Sequence, residues 1–190
     1  MKLNFFTAIL LSFLLIRHVY TETASFTVSA EVEKSSVVDL PRDFVRNYIK
    51  DLSIFPKYFP DIVSVKPFND TESEWVYAVD APLAPVYYVN FILVEKQSTQ
   101  DVMFLESKDT LPNYLYCKAD FDSLGENSTR VSINFKIKMT RENASDVHFL
   151  AGLLGEGFIS SRMEEKLNSD LETFIERATK DMYKKNKKSH

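Results

Sequence analysis

The chain has 190 residues, of which 45% are hydrophobic, 13% aromatic and 26% charged, enough apolar material for one packed domain and too little length for two. Four glycines and seven prolines exclude collagen-like and Pro/Gly low-complexity chains, and the hydrophobic fraction excludes intrinsic disorder. With 23 Lys and Arg against 27 Asp and Glu, a net charge of −4, the chain lacks the positive field of a general nucleic-acid binder.

The first residues read as an address. Lys2 supplies a positive start, and Phe5 to Ile16 form an uncharged apolar run. As a helix that run spans only about 18 Å against a hydrocarbon core of roughly 30 Å. Arg17 ends it, and Val19 and Thr21 supply small residues before a cut, so residues 1–21 read as a secretory signal peptide, with an uncleaved membrane anchor as the alternative. Export to a periplasm or secretory lumen follows. Residues 22–183 then form the single domain, and residues 184–190 a basic tail in which Lys184, Lys185, Lys187 and Lys188 read as solvated, with contact to an anionic membrane surface as the other use.

Phe26, Val28, Ala30 and Val32 alternate with polar residues, which predicts a half-buried strand. Pro41 stands where a helix begins, and Phe44, Val45, Tyr48, Ile49 and Leu52 recur at helical spacing as far as about Asp51. Pro56 and Pro60 then force a short second helix or turn. Six strands follow at Val63–Phe68, Glu74–Asp80, Val86–Glu95, Asp101–Ser107, Tyr114–Phe121 and Arg130–Thr140, separated by turn-forming residues. In the last of them Val131, Ile133, Phe135, Ile137 and Met139 face one way and Ser132, Asn134, Lys136 and Lys138 the other, the one-sided pattern of an antiparallel sheet. The segment with Gly152, Gly155 and Gly157 reads as a flexible lead-in to an amphipathic helix from Phe158 to Tyr183, about 39 Å long. That helix needs a partner for its apolar face, and the sheet is the large apolar surface at hand, which gives an α+β domain with segregated elements.

Sites of covalent chemistry are sparse. Of three histidines, His18 lies in the signal and His190 at the terminus, so a nucleophilic triad would have to pass through His148. Cys117 is the sole cysteine, which excludes an internal disulfide and a thiol metal cluster. No metal site, cofactor cradle or catalytic set is legible, since the glycines near Gly155 lack the spacing of a phosphate or dinucleotide loop. Asn69, Asn127 and Asn143 are sequons in turns that would suit glycosylation on a eukaryotic secretory route, a weak signal against the ~1.5 that random placement gives. Glu106 shares a strand face with Val102 and Phe104, and Asn90 one with Tyr88, Ile92 and Val94. Facing inward, either would be a polar group in an apolar pocket; Met103 and Leu105 make the strand apolar on both sides, so the outer face is equally open to Glu106.

One strand, two short helices, six strands and one long helix is the layout of the helix-grip fold. The segment Leu40 to Phe68, LPRDFVRNYIKDLSIFPKYFPDIVSVKPF, resembles the opening of the START/polyketide cyclase/dehydrase and lipid-transport superfamily (SRPBCC). The matching features are the proline at the helix start, Phe44, Asp51, Phe55-Pro56, and Phe59-Pro60 leading to Val63 and Val65. The resemblance implies a curved seven-stranded antiparallel sheet wrapped around the C-terminal helix, with two short helices after the first strand. It also implies an apolar pocket between them for a hydrophobic small molecule such as a lipid, sterol, quinone or polyketide-like ring. On that reading Trp75, Tyr77, Tyr88, Asn90, Phe104, Glu106, Tyr116 and Phe135 line the sheet side, and Met163 and Leu167 the helix side. A cyclase- or dehydratase-like enzyme using the same pocket, and an interaction module at a membrane surface, are the rival readings. Side chains filling that space are the alternative to a pocket.

Overall fold

The computed structural model describes residues 25–79, 86–147 and 151–188. The elements run β1 (Phe26–Val38), α1 (Arg42–Lys50), α2 (Ile54–Tyr58), β2 (Ile62–Pro67), β3 (Glu72–Val79), β4 (Tyr87–Ser98), β5 (Val102–Ser107), β6 (Asn113–Gly125), β7 (Ser128–Arg141), a 3-10 turn (Ala144–Asp146) and α3 (Ala151–Lys188). All strand pairs are antiparallel, in the order β1-β7-β6-β5-β4-β3-β2. This is the α+β architecture that the sequence pattern implies.

Several boundaries depart from the sequence pattern. β1 continues past Glu33 to Val38, because its second half pairs with Ile133 back to Thr129 although its alternation is weak there. Helix α3 begins at Ala151 rather than Phe158, and Gly155 interrupts it with φ 80 and ψ 160, a conformation open to glycine. The glycine-rich segment is thus a broken helical turn and not a loose lead-in. At the other end α3 runs on through Lys184, Lys185, Lys187 and Lys188, cations that suit the negative end of the helix dipole. Asp80, at the end of the predicted second strand of the run, the turn from Pro82 to Pro85 and His148 lie outside the described residues.

Alternation decides which side chains enter the concave face. On β7 Val131, Ile133, Phe135, Ile137 and Met139 are all buried, and on β6 Leu115, Cys117, Ala119 and Phe121. Helix α3 meets them with Leu167, Leu171, Phe174, Ala178 and Met182. Helix α2, stiffened by Pro56, drops Phe55 into the cup, and Phe59 follows at its C-terminal end. Phe55 stacks on Phe174 at 4.9 Å and leans on Trp75 at 4.7 Å, while Phe59 packs on Phe135 at 5.0 Å. The centre of the cup is filled by these rings.

Helix α3 also covers the free edge of β1. The Thr27 N–H donates to the Glu156 carboxylate, the Ser29 N–H to Ser160 Oγ at 3.1 Å and the Asp39 N–H to the Tyr183 hydroxyl at 2.9 Å. These outward N–H groups would otherwise be a template for another strand. Helix and strand therefore run in the same direction, residue 27 beside 156 and residue 39 beside 183.

Truncating a central ring leaves a void that the surrounding rings cannot close. Phe59→Ala is expected to lower stability by about 3–5 kcal/mol. Phe104→Ala, which removes a ring from the opposite sheet face, should cost about 1 kcal/mol. Urea unfolding of the two variants checks this, and equal losses would contradict the packing described.

Candidate functional site

The concave face receives five of the ten residues singled out in the sequence. Trp75 is wholly buried, with its indole N–H donating to Ser73 Oγ at 2.8 Å, and Tyr77, Phe135 and Leu167 are buried beside it. Met163 is half-buried one turn before Leu167. The other five lie on the convex face. Tyr88 is 64% exposed and Asn90 is exposed, because Val89, Phe91 and Leu93 take the inward positions of β4. Phe104, Glu106 and Tyr116 are outward for the same reason: Met103 opposes Ala119 and Leu105 opposes Cys117 on the inner side. There Tyr114 donates to Glu106 at 2.7 Å, and Phe104 packs on Tyr116 at 4.9 Å. Burial first, and then the bond to Glu106, raise the Tyr114 hydroxyl above its ordinary range. Glu106 therefore belongs to a surface cluster and not to an inner pocket.

The interior also lacks a large hollow where α3 meets the second half of β1. A cleft among Val38, Ile49, Ile133, Phe174, Ala178 and Met182 has a volume of about 10 Å³, room for one water at most. At the other end the apolar side chains are less deeply buried. There Phe26, Val79, Tyr87, Ile159 and Met163 are only partly buried, and the Tyr87 hydroxyl points to Met139 Sδ at 3.9 Å. Nearby, the first turns of α3 expose Leu153 and Phe158, and the β5–β6 turn, tied to the end of β7 by the Thr140 N–H donating to the Pro112 carbonyl, exposes Leu111.

Among the described residues a buried charged cluster lies beside these half-buried side chains. Asp61 follows Phe59-Pro60, and its carbonyl is pinned to β3 by the Ala78 N–H at 2.8 Å. Its carboxylate accepts from the Tyr77 hydroxyl at 3.1 Å and from Lys166 Nζ at 2.6 Å. Lys166 also donates to Asp170 Oδ2 at 3.1 Å, one turn further along α3. Asp61 and Asp170 are 8% and 6% exposed, so two buried carboxylates share one ammonium. Burial, then the neighbouring charge and hydrogen bond of Asp61, push the Asp170 carboxyl up to about 6 against the pull of Lys166. Burial likewise raises Tyr77, reinforced by Asp61 and Asp170. For Lys166 burial acts downward, but the two carboxylates outweigh it and hold it above its usual range. A carboxyl that titrates near neutrality can hold, give or take a proton, or orient a polar group. Among the described residues no group of His, Cys, Asp and Glu is arranged to hold a metal ion, and burial raises the Cys117 thiol to about 12.

No protein-family model matches the chain, and no curated protein matches it in sequence. Solved structures do. The Zhui aromatase/cyclase from Streptomyces sp. R1128 superposes with a TM-score of 0.61 at 15% identity, over 82% of this chain and 94% of that one. A protein of Thermus thermophilus gives 0.55 at 19% identity, over 78% and 96%. The di-domain ARO/CYC StfQ from the steffimycin biosynthetic pathway gives 0.56 at 12% identity, over 84% of this chain and 52% of that one. The chain has a helix-grip α+β fold, shared in outline with these aromatase/cyclases.

In this helix-grip chain Asp61 and Asp170 escaped the sequence reading, although Asp170 leaves a trace. It follows Leu167 by three and precedes Phe174 by four, an acid on the stripe that faces the sheet. A charge there is seldom buried unless paired. Nothing local marks Asp61, whose partners lie sixteen and more residues away.

Because the fold holds the Asp170 proton to a higher pH than the unfolded chain does, this group's contribution to stability is complete below about pH 4. It is lost as pH rises through about 6. Asp170→Asn keeps the neutral shape and lacks that loss. The melting temperature of the variant relative to wild type is therefore expected to be higher at about pH 7.5 than at about pH 4.5. A difference independent of pH would contradict the assignment.

Proposed function

We propose that the chain is an exported binding or transfer protein for a hydrophobic small molecule of the lipid, sterol, quinone or polyketide-like class. The carrying observation is that Phe26, Val79, Tyr87, Ile159 and Met163, which pack against the core towards the end of the sheet where β1 begins, are only partly buried. A guest seated there would exchange water for hydrocarbon at ~25 cal/mol per Å² of apolar surface, which needs no covalent chemistry. Tyr77 and the Asp61 cluster supply the polar groups that would orient its head. The aromatic fill of the central cup restricts the guest to this end, so Trp75 and Phe135 act as its floor and not as its walls. Leu153, Leu154 and Phe158, exposed on the first turns of α3, support collection or delivery at a lipid surface.

Export rests on the N-terminal apolar run, and no helix among the described residues is long and apolar enough to cross a membrane. A second reading, a cyclase- or dehydratase-like enzyme, is favoured by one observation: the buried carboxylates of Asp61 and Asp170 share the Lys166 ammonium, with the Tyr77 hydroxyl bonded to Asp61. In that case these residues, and not Glu106, would move the proton.

Native mass spectrometry of the protein from its own host, followed by organic extraction, tests the carrier reading. A stoichiometric apolar guest is expected, and Met163→Trp, which fills the open end, should lower its occupancy about tenfold or more. An empty protein that also takes up no apolar fluorophore would overturn it.

A further inference from the structure

The inner cluster is short of one positive charge. Asp61 and Asp170 are both buried, and the single ammonium between them, on Lys166, is 40% exposed. The titratable groups that face Asp170 are Asp61 from the turn ahead of β2, Tyr77 from β3 and Lys166 from its own helix. The charged residue of α2, Lys57, turns instead to Asp181, and Lys34 of β1 to Glu172. With both carboxylates ionised, the excess negative charge is relieved by a proton or by water, and water reaches the two carboxylates more freely when the helix moves off the Asp61 turn.

The helix is built so that such a movement is local. From Leu167 on it is anchored by Leu167, Leu171, Phe174, Ala178 and Met182, all buried. Before Leu167, Ile159 and Met163 are half-buried, and the polar ties of this stretch to β1 are Glu156 and Ser160 on the Thr27 and Ser29 N–H groups. Gly155, at φ 80, breaks the helix just ahead. The stretch from Glu156 to Lys166 is therefore held to the β2–β3 side of the cup through the charged cluster, between a break and a firm anchor.

We propose that Asp61, Tyr77, Lys166 and Asp170 form a proton-operated latch on the open end of the cup. With one proton shared by the two carboxylates the helix is drawn against the Asp61 turn, and loss of that proton loosens residues 156–166 and opens the way for an apolar guest. The direction follows from linkage: a group that holds its proton more tightly in the closed form makes proton release favour the open one. The guest half of the proposal rests on the binding function given above, and the helix half does not.

Hydrogen exchange read by mass spectrometry, corrected for the intrinsic pH dependence of amide exchange, separates the two. In wild type the amides of residues 157–166 are expected to lose about tenfold in protection between about pH 5 and about pH 7.5, while residues 171–182 keep theirs. Asp170→Asn should hold the low-pH protection at both values, and Asp61→Asn serves if that variant does not fold. Uptake of N-phenyl-1-naphthylamine, followed in the same samples, should rise with pH in wild type and stay flat in the variant. Protection that does not change with pH in wild type, or that changes equally in the variant, overturns the latch. A pH-dependent helix with no uptake at either pH leaves the latch standing and refutes the binding function. Uptake with a pH-independent helix does the reverse.

Discussion

The stack of Phe55 on Phe174, with ring centroids 4.9 Å apart and planes 14° from parallel, is the contact on which the domain depends. It joins the short helix after β1 to the long helix at the end of the chain, and both rings meet other layers: Phe55 touches Trp75 of β3, and Phe59 touches both Phe174 and Phe135 of β7. Elements separated by more than a hundred residues are thereby fixed to one another at a single point in the middle of the cup. Such pairs add about 0.5–1.5 kcal/mol each beyond their burial. The same rings that hold the helix occupy the place where a guest could otherwise sit, so stability and capacity compete for one volume. The competition is resolved along the axis of α3, with hydrocarbon buried around a cleft of only about 10 Å³ at Phe174 and Met182 and half-buried at Ile159 and Met163.

Polar contacts then set the position of the helix. On one side its side chains accept hydrogen bonds from the edge of β1, and on the other Lys166 and Asp170 meet Asp61. The first set satisfies backbone donors of the sheet edge. The second contains two acids and one base in a buried place. An ion pair there contributes little net stability, since desolvation opposes attraction. Its value lies in being conditional: the same residues hold the helix firmly or loosely according to one proton.

The architecture was legible in the sequence because it follows from period-two and helical spacing. Val131 to Met139 and Leu167 to Met182 carry those periods without interruption, and the turns between strands carry their own residues. The phase of β4 and β5 was not legible from either strand alone. Val102 and Phe104 on one side are as apolar as Met103 and Leu105 on the other, and a register shift between Glu95 and Gln97 interrupts the pairing of β5 with β4. The neighbouring strand settles it, since Leu115, Cys117, Ala119 and Phe121 are set against Tyr116, Lys118 and Asp120. Filling of the cup was hidden for a different reason: whether Phe55 and Phe59 enter it depends on the direction in which a five-residue helix leaves α1, which no local pattern encodes. The Asp61 cluster is a tertiary object altogether, assembled from a turn, a strand and a helix.

The described residues carry methionines at both ends and in the middle of this interior, and they test where a guest is held. Met139 and Met163 stand at the open end, Met103 lies on the inner face of β5 and Met182 beside Phe174 in the packed end. Titrating methyl-labelled protein with an apolar ligand and recording the methionine methyl resonances reads all four at once. Shifts confined to Met139 and Met163 are predicted. Shifts centred on Met182 or Met103, with Met163 unmoved, would contradict the account.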